Sequence, residues 1–461
     1  MSITGGFIVP HPPVIIPEIG KGREAEIQKT MAAYQKCAMQ IARLKPSTII
    51  LTSPHSAMYL DYFHISPGSH AKGDFSEYRA KNVAITVEYD EEVADCLVKH
   101  AARQGIPAGF VGEKSPELDH GTMIPLYFIN QLYKDYKLVR IGLSGLSLQM
   151  HYRFGMCIAE TVQTLERNTV FIASGDLSHK LLPNGSNGYA QEGETFDKLV
   201  TEAMEYGDFL RFLQFEDPFL EKAAECGLRS FVIMAGALDR KEVKSELLSY
   251  EGPFGVGYGV ASFLPYRYSA ERAILDKSVE AELLRLEKSM ETESHHVRLA
   301  RYSLEYYIKN RQLPRLPEGL PKNFYTERSG VFISIKKESN LRGCIGTSLP
   351  SRVNIAEEIM VNAVRAGTKD PRFSPIRADE LSYLEYSVDV LSKPEPVESE
   401  AALDVKKYGI IVTHGRKKGV LLPDLPGVDT VKDQIRIARQ KAGISEGEPV
   451  SLSRFEVVRY Q

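Results

Sequence analysis

Three histidines carry the first chemical signal: His11, His55 and His179. Each follows a run that reads as a β-strand. Gly6-Phe7-Ile8-Val9 leads into Pro10-His11, and Thr48-Ile49-Ile50-Leu51-Thr52 leads into Ser53-Pro54-His55. Thr169-Val170-Phe171-Ile172-Ala173 leads into Ser174-Gly175-Asp176-Leu177-Ser178-His179. In an open α/β sheet the carboxyl ends of the strands line one edge, and ligands bind there. Imidazole is the commonest transition-metal ligand, and a metal needs several such donors. Two histidines and one carboxylate on one face, with other positions open, suit non-haem Fe(II) and its O₂ chemistry. A solitary histidine after a strand is more often an ordinary loop or core residue. For His11 and His55 the flanking prolines tilt the balance toward a site, because proline fixes the backbone that aims the ring. The pattern alone names no carboxylate.

The elements that must position these residues are legible. Ile27, Met31, Tyr34, Ala38 and Ile41 recur on one face of a helix between the first two strands. Leu138-Val139-Arg140-Ile141-Gly142-Leu143 reads as a further strand. Strand, helix, strand at this spacing predicts an α/β domain over 1–268 with a largely parallel or mixed sheet. The segment 269–289 is charge-rich and reads as a helical connector. From 290 to 461 the texture is α+β. Arg298 to Asn310 is amphipathic, Leu313-Pro314-Arg315-Leu316-Pro317 is a break, and 331–335 and 384–390 alternate as strands. Ile410-Ile411-Val412-Thr413 and Val420-Leu421-Leu422 flank a basic tip and read as a hairpin.

Composition narrows the function classes. The chain has 461 residues, with 43% hydrophobic and 25% charged residues, which is ordinary for globular domains. Its formal charge of −3 argues against a nucleic-acid partner. No run approaches the roughly 18 apolar residues of a membrane helix. The start Met-Ser-Ile-Thr-Gly-Gly lacks a basic leader, so a cytoplasmic protein is expected. Five scattered cysteines without a CxxC pair give neither a disulfide framework nor a zinc knuckle. His64, His70 and His100 have no motif around them and read as surface, as does the pair His295-His296. Gly255-Val256-Gly257-Tyr258-Gly259 lacks dinucleotide-loop spacing and reads as a Gly-rich terminal strand.

Five motifs in order resemble the LigB-type class III extradiol dioxygenase superfamily over about residues 1–265. They are Val9-Pro10-His11-Pro12, Ser53-Pro54-His55, Asp119-His120-Gly121-Thr122-Met123-Ile124-Pro125-Leu126, Ala173-Ser174-Gly175-Asp176-Leu177-Ser178-His179 and Ala224-Glu225-Cys226-Gly227. The resemblance implies a metal held by His11, His55 and Glu225: Fe(II), with Zn or Mn as alternatives for the same donors. It implies that His179 is the acid/base residue and His120 a pocket histidine near the substrate. The substrates it implies are a small catechol-like or related aromatic or enediol compound and O₂. Asp176 reads either as a hydrogen-bond partner fixing a histidine of the site, or as a loop or helix cap. The Memo family shares this fold and has Cys where the dioxygenases have Glu. Glu225 and Cys226 are neighbours, and on a helix neighbours point about 100° apart, so one of them faces the metal. Glu225 is the expected one, with Cys226 a small buried apolar residue.

Leu341-Arg342-Gly343-Cys344-Ile345-Gly346-Thr347, Asp370-Pro371-Arg372-Phe373 and Gly419-Val420-Leu421-Leu422-Pro423 resemble the AMMECR-type domain, which implies a two-lobed α+β fold over about 290–461. The fusion is similar to proteins of the AmmeMemoRadiSam system, which implies a radical-SAM partner protein and, as the alternative function, a Memo-like metalloprotein with redox or hydrolytic chemistry. Arg342 beside Cys344 leaves open an activated thiol or simple packing. His414 next to Cys344 would favour a nucleophile. A homo-oligomer is compatible with the sequence.

Overall fold

The computed structural model describes residues 3–112, 116–338, 340–425 and 427–461. The chain divides into two compact units after Glu280.

The first unit is built on a mixed six-stranded sheet. In spatial order its strands are Lys137–Gly142, Thr48–Ser53, Thr169–Ser174, Ile3–Val9, Tyr258–Tyr268 and Lys241–Glu251. The first four run parallel; the last two add antiparallel strands at one side. The four parallel strands are apolar because both faces are covered. Ile8, Ile50, Phe171 and Ala173 face one core, and Phe7, Val9, Ile49, Leu51, Val170 and Ile172 face the other. The helix expected around Ile27 to Ile41 is Gln28–Leu44, and it buries Tyr34, Cys37, Ala38 and Ile41. The Gly-rich run at 255–259 is a turn with Gly255 at φ +81° that opens the Tyr258–Tyr268 strand.

The register sets the site. Val9 lies opposite Ser174, and Thr52 lies opposite Ala173. The three strands therefore end level, and the segments carrying His11, His55 and Asp176 leave one sheet edge together.

The second unit holds two four-stranded sheets. One contains Asn340–Gly346, Val331–Lys337, Leu384–Leu391 and Val457–Tyr460, all antiparallel. The other contains Glu395–Val397, Ser451–Phe455, Gly409–His414 and Lys417–Leu421, and includes the expected hairpin. The helices His295–Asn310 and Ile355–Thr368 share a core with Val331, Ile333, Ile335 and Val388.

Two histidine expectations are corrected. His64 is fully buried in a two-residue strand, and His296 is buried rather than solvated. His296 stacks on Tyr460 with ring centroids 3.7 Å apart, while its neighbour His295 points outward. Among the described residues no helix is long and apolar enough to cross a membrane.

Candidate metal centre

Five short segments build the centre. His11 follows the first strand; its ring is 2% exposed. Its backbone N–H donates to Asp176 Oδ1 at 2.7 Å, tying the loop after one strand to the loop after the next. The His11 ring nitrogen Nδ1 lies 3.0 Å from Ser174 Oγ, and Ser174 Oγ donates to the Gly121 carbonyl at 2.6 Å. A serine hydroxyl has a single proton. With that proton on Gly121, the hydroxyl accepts from His11, so Nδ1 carries the hydrogen and Nε2 keeps its lone pair. This is the tautomer a metal ligand needs.

His55 is placed by a second relay. Ser53 Oγ accepts from the His55 backbone N–H at 3.2 Å and donates to Asp119 Oδ1 at 2.5 Å. Asp119 also caps the helix His120–Ile129, accepting from the Thr122 N–H at 3.0 Å and the Thr122 hydroxyl at 2.9 Å. The cap puts His120 at the first helical position, beside His55, with ring centroids 4.0 Å apart. Gly121 is required here. A Cβ at that position would fall 2.5 Å from Ser53 Oγ and 3.2 Å from His55 Cδ2.

The result is a cluster of imidazoles. His11 Nε2 and His55 Nε2 are 3.0 Å apart, and one ring nitrogen from each of His11, His55 and His120 lies within 4.8 Å of the others. The spacing of the first two suits nitrogens about 2.1 Å from a shared cation. Burial lowers the pKa of all three rings, most strongly for His11, where the neighbouring His55 and His120 add to the effect. The rings are therefore neutral at pH 7, the state that coordinates metal.

Asp176, Ser178 and His179 come from the loop after Ser174. Asp176 starts no helix; its role is the bond to the His11 backbone, and its Oδ2 stands 3.9 Å from His11 Nε2. Burial lifts its carboxyl to about 6. This loop packs on the 223–227 loop so closely that a Cβ on Gly175 would fall 2.2 Å from Gly227 Cα. Ser178 Oγ donates to the Ala223 carbonyl, and the His179 N–H donates to the Ala224 carbonyl. His179 feels both Asp176 and His55 electrostatically, and its Nε2 is buried with no hydrogen-bond partner among the described residues.

The 223–227 loop departs from the expectation. Ala224 sits in the left-handed region at φ +52°, ending one helix, and the next begins at Leu228. Glu225 and Cys226 are thus in a loop, where the helical spacing rule does not apply. The Glu225 carboxylate turns away and accepts from the Leu228 N–H at 2.6 Å. Cys226 turns inward: its Sγ is 3.7 Å from His11 Nε2 and accepts from the Asp176 N–H at 3.3 Å. Burial raises the pKa of the thiol, and the nearby carboxyls of Asp176 and Glu225 raise it further. Where the sequence pointed to Glu225, the side chain beside the imidazoles is Cys226.

A cavity of about 520 Å³ opens beside this cluster, with His55, His120, Tyr78 and Met123 in its wall. The Tyr78 and His120 rings meet edge to face at 5.7 Å.

The family model described as the catalytic LigB subunit of aromatic ring-opening dioxygenase matches residues 5–261. The chain belongs to the LigB family. Its LigB domain is followed by an AMMECR1 domain, matched over residues 297–461. Protein CA_C1420 of Clostridium acetobutylicum is 41% identical over 472 residues, covering 100% of both chains. A Thermotoga maritima protein is 46% identical over 171 residues, covering 37% of this chain and 98% of that one. A crystal structure of protein PH0010 from Pyrococcus horikoshii aligns with TM-score 0.33 and 28% identity, over 36% of this chain and 88% of that chain. The LigB family groups this domain with dioxygenase-fold oxidoreductases, which are generally metal-dependent, and the histidine-rich edge of the LigB domain has the donors for a metal.

In the AMMECR1 domain, Arg342 forks onto Glu380 at 2.9 and 3.0 Å. The Cys344 N–H donates to Asp370, and Ser334 Oγ donates to Cys344 Sγ at 3.4 Å. His414 belongs to the other sheet, where Nδ1 meets the Pro449 carbonyl and Nε2 lies 3.4 Å from Glu448. Arg342 therefore pairs with Glu380, and His414 and Cys344 share no hydrogen bond.

Proposed function

We propose that the LigB domain is a metal-dependent dioxygenase of the extradiol ring-cleaving type, acting on a catechol-like or related enediol substrate. The observation that carries this reading is the imidazole cluster with His11 held in the ligating tautomer by Ser174. His11 and His55 would hold the metal, Fe(II) first among the candidates, with His120 and Cys226 the neighbouring donors. When bound, such an ion supplies an electronic route between a chelated diol and O₂. The other tasks fall to the protein. His179 is neutral, because burial opposes its protonation, and its Nε2 has no hydrogen-bond partner among the described residues, so it can take a substrate hydroxyl proton at that atom and return it later. Tyr78 and Met123 offer a flat apolar wall for a ring beside His55 and His120. The test is O₂ uptake and ring-cleavage absorbance with anaerobically purified, Fe(II)-loaded protein across a panel of catechols. Uptake lost in His179→Ala supports the reading; no uptake with any diol refutes it.

One observation favours a second reading. Cys226, not Glu225, faces His11. A thiolate among imidazoles suits a Memo-like metalloprotein with other redox or hydrolytic chemistry, working with a radical-SAM partner. Tight zinc retention in preference to iron, without ring cleavage, would select it.

A further inference from the structure

The cavity beside the imidazoles has a lopsided charge. Among its described lining residues the acids are Asp74, Glu77, Glu117 and Asp119, and the base is Arg140. Arg140 is 2% exposed and already committed: Nε donates to Ser66 Oγ at 2.7 Å and Nη1 to the Glu117 carbonyl at 2.6 Å. It offers little to an incoming carboxylate. Asp119 is likewise consumed by Ser53 and Thr122.

Asp74 and Glu77 are different. Asp74 Oδ1 accepts from the Ser76 N–H at 2.8 Å and from the Ser76 hydroxyl, while Oδ2 accepts no hydrogen bond from the described residues. Those bonds keep the carboxyl below its usual range, so Asp74 is ionised. Lys72 and Lys81 act on it from nearby, and neither lines the cavity. Glu77, one residue after Ser76, is exposed and forms no ion pair with the described residues. Two anionic groups thus stand at the wall that continues through Tyr78 to His120. Asp74 and Glu77 line the same cavity as Tyr78 and His120, so a planar ring beside those two side chains shares it with both carboxylates.

We propose that this cavity selects ring substrates bearing a protonated amine and discriminates against those bearing a carboxylate. The proposal rests on the cavity being the substrate pocket of the ring-cleaving reading. An ammonium gains attraction from both side chains, whereas a carboxylate meets repulsion and, among the described lining residues, no uncommitted cation.

The experiment separates the two ideas. Metal-free, full-length protein is titrated with 2-phenylethylamine and with phenylacetate, which test the charge preference without ring chemistry. The amine should bind about tenfold tighter, the scale of two solvent-screened ion pairs. Asp74→Asn with Glu77→Gln should bring the two ligands to parity; Glu77→Gln alone, at an exposed position, should remove part of the difference. Phenylacetate binding equally or better, no measurable amine binding, or a preference that survives the double substitution in a protein of unchanged melting temperature overturns the proposal. O₂ uptake by the Fe(II)-loaded protein is measured in parallel with 4-(2-aminoethyl)catechol and 3,4-dihydroxyphenylacetate. Faster uptake with the amine supports the proposal, and faster uptake with the acid overturns it. Uptake with neither these two nor any other diol of the panel refutes ring cleavage and leaves the amine preference to be judged on binding.

Discussion

Ser174→Ala tests the claim that a strand serine sets the ligating tautomer of His11. The substitution deletes the acceptor 3.0 Å from Nδ1 and leaves the Gly121 carbonyl, formerly bonded at 2.6 Å, without its donor. Ser174 is fully buried, so water does not simply replace the hydroxyl. An unpaired buried acceptor costs about 1–3 kcal/mol of stability. The freed imidazole is also released to rotate or to exchange tautomers, and losing such a support typically weakens metal affinity about 10–100-fold. That corresponds to about 1.4–2.7 kcal/mol of binding free energy. The assay is competition for Zn²⁺ or anaerobic Fe²⁺ between the full chain and a chromophoric chelator, with melting followed on the metal-free protein. A lower melting temperature together with weaker metal binding is expected. Wild-type metal affinity in Ser174→Ala, alongside loss of metal in His11→Ala, would refute the tautomer argument while sparing the ligand.

Three further outcomes follow from particular contacts. Glu225→Ala should retain its metal, because its carboxylate bonds the Leu228 N–H, whereas Cys226→Ala should lose affinity; metal analysis of the two variants decides between them. Burial lifts the Asp197 carboxyl to about 7, although Ser178 N–H and Tyr250 OH donate to it. An acid whose folded pKa is raised binds its proton more tightly when folded. That stability is complete below about pH 4 and is lost as pH rises through about 7, by about 4 kcal/mol; Asp197→Asn should flatten this segment of a chemical-denaturation profile, and an unchanged slope would discount the burial. Arg342→Ala takes the forked partner from Glu380, whose side chain is 8% exposed, leaving the Arg377 N–H at 3.0 Å and Lys337 at 3.7 Å, and should destabilise the AMMECR1 domain by about 2 kcal/mol in calorimetry; an unchanged melting transition would contradict this.

The parts of this protein legible in its sequence are those with a local physical cause. The parallel strands are continuous apolar runs because both faces are covered, and His11 and His55 stood out because proline precedes each one. His120 was marked only by the resemblance, and the structure adds that Asp119 caps the helix that delivers its ring. What was not legible depended on long-range packing. Ser174 stands at the end of an apolar run, and nothing local marks its hydroxyl as the partner of a ring 163 residues away. Glu225 and Cys226 were weighed as helical neighbours, but a left-handed Ala224 had already ended the helix, so the orientation followed loop packing. His64 and His296 lacked motifs and read as surface; tertiary contacts bury both.

The central claim is a metal centre at the carboxyl edge of the LigB sheet. The most direct measurement is metal content of full-length protein purified and reconstituted without oxygen, compared among wild type, His11→Ala and His55→Ala. The account predicts close to one ion per chain in the wild type and its loss in both variants. Metal retained at the wild-type level in both would contradict it.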